Sequence, residues 1–90
     1  MQPRVIKTID YRIKADYLMK VLQEISQETG VQVGYYSNTI KGAIDSLSIF
    51  VDDAVGDEGA EKALKALEGR ADEIDRLSKQ SIAEVEGSRK

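Results

Sequence analysis

The stretch ETGVQVGYYSNTIKG, residues 28–42, decides the fold because the hydrophobic period changes inside it from helical to extended. Gly30 predicts a helix end, since glycine readily adopts the left-handed conformation that closes a helix. Directly after it, Val31, Val33 and Tyr35 alternate with polar or small residues, which predicts a strand with one buried face. Tyr36 must then point to the opposite face from Tyr35, so one ring is expected in the core and the other outside it.

The residues before this stretch predict a strand and then an amphipathic helix. Residues 5–13 (VIKTIDYRI) alternate and are rich in β-branched side chains, which places one face of a strand at Val5, Lys7, Ile9, Tyr11 and Ile13. Asp16 is expected to cap the helix that follows, because its carboxylate accepts free backbone N–H groups. The apolar stripe of this helix has spacing i, i+3, i+4, i+7 and consists of Leu18, Val21, Leu22 and Ile25.

The residues after this stretch predict a second strand and a second helix. Ser37, Asn38 and Gly42 supply turn chemistry, and SLSIFVD (46–52) alternates again, so the two strands are expected to form an antiparallel hairpin with a long loop. Gly34 predicts a bulge or a close backbone approach. The acidic turn DDAVGDEG (52–59) leads into a helix that Gly69 ends.

Residues 70–86 fit either a helix or a hairpin. A helix places Ile74, Leu77, Ser81 and Val85 on one face; a hairpin would need its turn at SKQ, which has no Gly, Asn or Pro. The helix is favoured. The element order is thus β-α-β-β-α plus this last element, which predicts one α+β domain over residues 1–86, a two-layer sandwich of split β-α-β or ferredoxin-like type, and a frayed tail at 87–90.

Composition excludes several classes of function. The 90 residues include no cysteine and no histidine, which removes thiolate zinc sites, disulfides and Cys–His or Ser–His catalysis. A net charge of −3 opposes nucleic-acid binding, which needs clustered Lys and Arg. No apolar run reaches membrane-spanning length, and the first residues, MQPRVIKTIDYR, contain no apolar segment typical of a signal peptide, so none is expected. We therefore predict no catalytic residues, no cofactor, no nucleic acid partner and no membrane insertion.

Two features of the sequence, the acidic run and the paired tyrosines, are candidates for a binding site. The acidic run from Asp52 to Glu61 lacks the spacing of a calcium-binding EF-hand loop, and its carboxylates are better explained by a helix N-terminus and a soluble strand end, so no metal site is predicted. Exposed tyrosine is enriched at protein interfaces. Tyr35, Tyr36 and Ile40 are accordingly the predicted partner-binding residues.

The chain also resembles a known family over residues 8–69. A helix ending in Thr29-Gly30, the segment Val33 to Ser37, Lys41-Gly42 and the helical segment Glu61 to Gly69 are similar to the short N-terminal (STN) signalling domain of secretins and TonB-dependent transducers. The resemblance implies a periplasmic, non-enzymatic domain that contacts a membrane-associated regulator or an assembly component. The acidic insert at 52–59 and a helical C-terminus depart from the family pattern, which has a hairpin there.

Two functions follow as hypotheses. The first is a non-catalytic protein-interaction domain that binds a larger protein through an exposed sheet edge or the region of Tyr36 and Ile40. The alternative is a ferredoxin-like regulatory module similar to ACT domains, which binds an amino acid as a homodimer near the Thr29-Gly30 turn. The expected compartment is the periplasm if the STN resemblance holds and the cytoplasm otherwise.

Overall fold

The fold is a three-stranded antiparallel sheet with helices on one side. The structure, a computed structural model, describes residues 2–10, 12–40 and 43–87, without the side chains of 38–40, 43–45 and 85. Its elements are β1 (Pro3–Ile9), α1 (Ala15–Thr29), β2 (Val33–Ile40), β3 (Ala43–Asp52), a 3-10 turn (Asp53–Val55), α2 (Gly56–Gly69) and α3 (Ala71–Gly87). The predicted α+β class is confirmed.

The strand order β1-β3-β2 is the split β-α-β arrangement that the sequence predicts. Both outer strands run antiparallel to β3, so β1 and β2 are parallel to each other and α1 connects them. The apolar side chains of one sheet face and of the helices form a single core, which includes Leu18, Ile25, Ile49, Val51 and Leu67. The helices cover that face, which makes the domain two layers thick.

The prediction of which β1 side chains share a sheet face is wrong at the start of the strand. A register shift between Val5 and Lys7 places an extra residue in the strand, so Val5 is 53% exposed while Ile6 packs against the core. Such a bulge moves the following side chains to the other face. The strand also ends at Ile9, earlier than predicted, and Ile13 is buried beyond it in irregular backbone. Tyr11 lies outside the described residues.

The β2–β3 hairpin is confirmed, but its predicted long loop is wrong. Thr39 pairs with Ile44 and Ile40 with Ala43, so both strands continue through most of the predicted turn. A register shift between Asn38 and Thr39 accommodates the change in pairing. β-branched Thr39 and Ile40 favour extended structure, which outweighs the turn preference of Ser37 and Asn38. Residues 41–42 lie outside the described part.

The helix ends are partly as predicted. Gly30 has φ of 73° and its N–H donates to the Ser26 carbonyl at 2.9 Å, which confirms the left-handed helix end. Asp16 is not the N-cap: Lys14 occupies that position without a side-chain cap, and Asp16 lies in the first turn. A carboxylate there still favours the helix through the dipole.

The C-terminal half contains two helices separated by Arg70. Most of the predicted acidic turn is helical, and Asp57 and Glu58 lie in the first turn of α2, as predicted. Residues 71–87 are the helix α3, which decides between the helix and the hairpin. Its inner face buries Ile74, Ser78 and Ser81. Gly87 belongs to this helix, and the rest of the predicted tail lies outside the described residues.

Candidate interaction surfaces

The two tyrosines of β2 lie on opposite faces of the sheet. Tyr35 is half-buried and packs against the core on the helix side, whereas Tyr36 is 47% exposed on the face without helices. Ile40 ends β2, and its side chain lies outside the described part. The structure thus places the first two predicted site residues on opposite faces, and of these two it is Tyr36 that offers its ring to the open face.

Tyr36 belongs to an aromatic patch with Phe50 of β3. The two rings stack with centroids 4.5 Å apart and an angle of 19° between their planes. Phe50 also lies across Gly34, where a Cβ atom would be 2.7 Å from Phe50 Cζ. The close approach predicted at Gly34 is therefore present, and the missing side chain makes room for the Phe50 ring. The exposed Val5, which pairs with Phe50, extends the same face toward β1.

The outer edge of β2 offers backbone groups for pairing. β2 is an edge strand, and the Val33 N–H donates to Ser26 Oγ at 3.0 Å on the side facing α1. Backbone groups alternate in direction along a strand, so the N–H and C=O of Tyr35 and Ser37 also point away from β3. Ser26 closes the start of the edge, and the groups of Tyr35 and Ser37 remain directed outward.

A groove runs along this edge beside α1. It has a volume of about 620 Å³, and its walls include Met19, Gln23 and Gln27 of α1 together with Gln32 and Tyr35. None of its described lining residues is charged. Met19, Gln23 and Gln27 are spaced four residues apart along α1, so this uncharged stripe beside the apolar one is visible in the sequence, although the prediction from the tyrosines did not include it.

A second, smaller cleft of about 290 Å³ lies where β1 ends near α2 and α3. Its lining includes Lys7, Asp10, Leu67 and Ile74. Leu67 and Ile74 are core residues, so the floor of this cleft is apolar. Among the described residues, no group of three or more His, Cys, Asp or Glu side chains is placed to hold a metal ion.

Two polar clusters attach the helices to one another. Glu84 of α3 accepts from the Tyr17 hydroxyl at 2.7 Å, from Gln80 at 3.1 Å and from Lys14 Nζ at 3.1 Å. These three donors, Tyr17 first, lower the pKa of Glu84 to about 2. Lys14 and Tyr17 are 70 and 67 residues away from Glu84 along the chain, so no local pattern in the sequence predicts these two contacts.

Arg70, the single residue between α2 and α3, forms the other cluster. Its guanidinium lies 3.0 Å from Glu24, 3.3 Å from Glu28 and 3.3 Å from Glu73. The Arg70 side chain is partly buried, with 23% of its surface exposed. Through its ion pairs it links the C-terminal half of α1 to the junction of α2 and α3.

Neither cluster combines a nucleophile with a general base in a pocket, and both are explained by helix packing.

In the part of the chain that the structure describes, no helix is long and apolar enough to cross a bilayer. Comparison with known proteins finds no family model, no curated protein and no solved structure that matches this chain.

Proposed function

We propose that this chain is a non-catalytic protein-interaction domain that binds an extended segment of a partner protein along the outer edge of β2. The observation that carries the proposal is the outward direction of the Tyr35 and Ser37 backbone groups on an edge strand. In strand addition, such groups form main-chain hydrogen bonds with the incoming segment, while adjacent pockets select its side chains.

The surroundings of the edge suit this mode of binding. An added strand would direct alternate side chains to the two faces of the sheet. On the helix side these would enter the uncharged groove beside Gln23 and Gln27, and on the open side they would lie next to Tyr36. Tyr36 supplies a rigid amphipathic surface, which costs little conformational entropy on binding. The preferred partner segment is therefore extended, uncharged and partly apolar.

The alternative, an ACT-like module for an amino acid, has less support from this geometry. A free amino acid carries an ammonium and a carboxylate, and burying charges requires charged or multiple hydrogen-bonding partners. The groove beside α1 is lined by amides, the Ser26 and Tyr35 hydroxyls and apolar groups, and neither Thr29 nor Gly30 of the predicted turn belongs to its lining. A thermal shift produced by an amino acid would favour this alternative over the interaction domain.

The STN resemblance adds a more specific version of the first hypothesis, in which the partner is a periplasmic regulator or assembly component. The helix α3 occupies residues 71–87, where that family has a hairpin, so the likeness is limited to residues 8–69. This version, with its compartment, stays a prediction.

Selection of peptides displayed as a random library tests the proposed function. Ser37→Pro removes one outward N–H, and because that group does not face β3 the sheet pairing is retained. We expect selected peptides to bind the wild-type domain, to lose binding to Ser37→Pro, and to bind Tyr36→Ala less tightly.

Val5→Ala is the matched control, because Val5 is exposed on the same open face but belongs to the other edge strand. It should bind the selected peptides as the wild type does. Circular dichroism establishes that each variant is folded. Peptides that bind Ser37→Pro as tightly as wild type, or a library that yields no binders, would contradict the proposal.

A further inference from the structure

The two edges of the sheet differ in their protection against pairing. The edge strand β1 carries Pro3, Arg4 and Lys7 and contains a bulge, all of which are known devices that discourage another strand from adding. The edge strand β2, VGYYSNTI, has no proline and no charged residue over eight positions. The β2–β3 pair has its own register shift, between Asn38 and Thr39, but β2 carries neither proline nor charge, so β2 is the edge less hindered against pairing.

The uncharged character continues from β2 onto the helix beside it. Met19, Gln23 and Gln27 line the groove, and no described residue of its walls carries a charge, although 32% of the chain is charged. When two identical surfaces meet across a two-fold axis, a charged residue near the axis meets its own copy and is repelled. The groove and the strand β2 avoid that repulsion, because their described residues carry no charge.

We infer that the segment bound along β2 is the β2 strand of a second copy of this chain, so that two domains form one continuous six-stranded sheet. This inference rests on the proposed function, because the second copy would bind along the same β2 edge. It adds the identity of the partner segment that binds there. The interface is isologous: each copy presents the same strand, groove and Tyr36, and the two β2 strands run antiparallel.

The outward groups determine the register of this pairing. The backbone N–H and C=O groups of Tyr35 and Ser37 point outward, whereas the Val33 N–H already donates to Ser26 Oγ. Pairing Tyr35 of one copy with Ser37 of the other satisfies these outward groups and places Tyr36 directly opposite Tyr36 of the second copy. The latter is a non-hydrogen-bonded pair, in which the two Cα atoms are about 4.5 Å apart. The stacked rings of Tyr36 and Phe50 then continue across the seam on the open face.

The absence of cysteine from the chain allows this register to be tested with a single thiol. A disulfide requires Cα atoms about 4.4–6.8 Å apart, which the Tyr36 pair satisfies. Tyr36→Cys should therefore oxidise to a covalent dimer. Val5→Cys, on the same face but on β1, should remain monomeric under the same conditions.

Light scattering after size exclusion tests the association itself. For the wild-type chain we expect twice the 10.0 kDa chain mass as concentration rises, and for Ser37→Pro the monomer mass throughout. Urea unfolding of each variant establishes that it is folded, and an unfolded Ser37→Pro would be replaced by Tyr36→Glu, whose exposed carboxylate would lie opposite its own copy and repel it.

The outcomes separate the two proposals. A wild-type monomer at all concentrations, or equal cross-linking of Tyr36→Cys and Val5→Cys, overturns the dimer. If that monomer still binds library peptides in a manner that Ser37→Pro abolishes, the interaction function stands and the occupant is a different protein. If neither association nor peptide binding depends on the β2 edge, both proposals fail.

Discussion

Replacement of Thr29 by valine tests why the chain changes from helix to strand at Thr29-Gly30. The Thr29 hydroxyl donates to the Ile25 carbonyl at 2.7 Å and accepts from the Val31 N–H at 3.1 Å. Thr29 and Val31 are each 8% exposed, so water does not replace this contact easily. Valine has nearly the same shape but no hydroxyl, and Thr29→Val therefore leaves the buried Val31 N–H without a partner.

The cost follows from that one lost partner. An unsatisfied buried donor costs about 1–3 kcal/mol, against about 5–13 kcal/mol of total stability for a domain of this length. With about 4–8 °C of melting temperature per kcal/mol for a domain of this size, a loss of 2 kcal/mol lowers Tm by about 8–16 °C. Urea unfolding followed by circular dichroism measures the free energy directly.

Thr29→Ser is the matched control, because it keeps the hydroxyl and loses one methyl group, worth about 0.8 kcal/mol. Amide hydrogen exchange separates the two causes: the Val31 amide should lose protection in Thr29→Val and keep it in Thr29→Ser. A Thr29→Val domain as stable as wild type, with a protected Val31 amide, would refute the account of this turn.

Three further predictions concern the helices. Since the folded-state pKa of Glu84 is about 2 instead of the ordinary 4.5, its stabilisation is present above pH 4.5 and lost as pH falls toward 2. The difference in unfolding free energy between wild type and Glu84→Gln should shrink over that range, and an NMR titration of the Glu84 carboxyl with a midpoint above 4 would contradict it. Arg70→Gln leaves three neighbouring glutamates without their cation and should cost about 1 kcal/mol, with a smaller effect in about 1 M salt; an effect independent of salt would argue against electrostatics. Gly30→Ala should cost about 1–2 kcal/mol through its positive φ alone, because a Cβ atom there meets no neighbour, and Gly30→Asn should cost less; equal stability of the two variants would oppose this reason.

Local patterns predicted the elements whose evidence is contained within one segment. The stripe of α1, its end at Gly30 and the inward residues of β3 follow from a period of 3.6 or 2 and from one glycine. The β1 residue that faces the core at the start of the strand could not be predicted from the local pattern. Val5 and Ile6 are both β-branched and apolar, so either can face the core. The bulge that selects Ile6 depends on pairing with β3, which a local pattern does not contain.

The candidate site divides in the same manner. Opposite faces for Tyr35 and Tyr36 follow from strand geometry, whichever strands surround them. The stack of Tyr36 on Phe50 depends on the β2–β3 register, and that register brings Gly34 opposite Phe50. The sequence contains both residues without any sign that they meet. Likewise, the choice of β2 as the open edge depends on the strand order, which no single segment specifies.

Contacts at both ends of α1 explain how a small domain keeps its groove in a defined shape. The N-terminal end of α1 is held by α3, through the Lys14 N–H on Ser81 Oγ at 3.0 Å and through Glu84. Its C-terminal half is held by Arg70 and by Ser26, whose hydroxyl also accepts from β2. Because the helix is fixed at both ends, the wall that it gives the groove is set relative to the β2 edge before anything binds. Less ordering is then required on association, so more of the energy of the edge hydrogen bonds contributes to affinity.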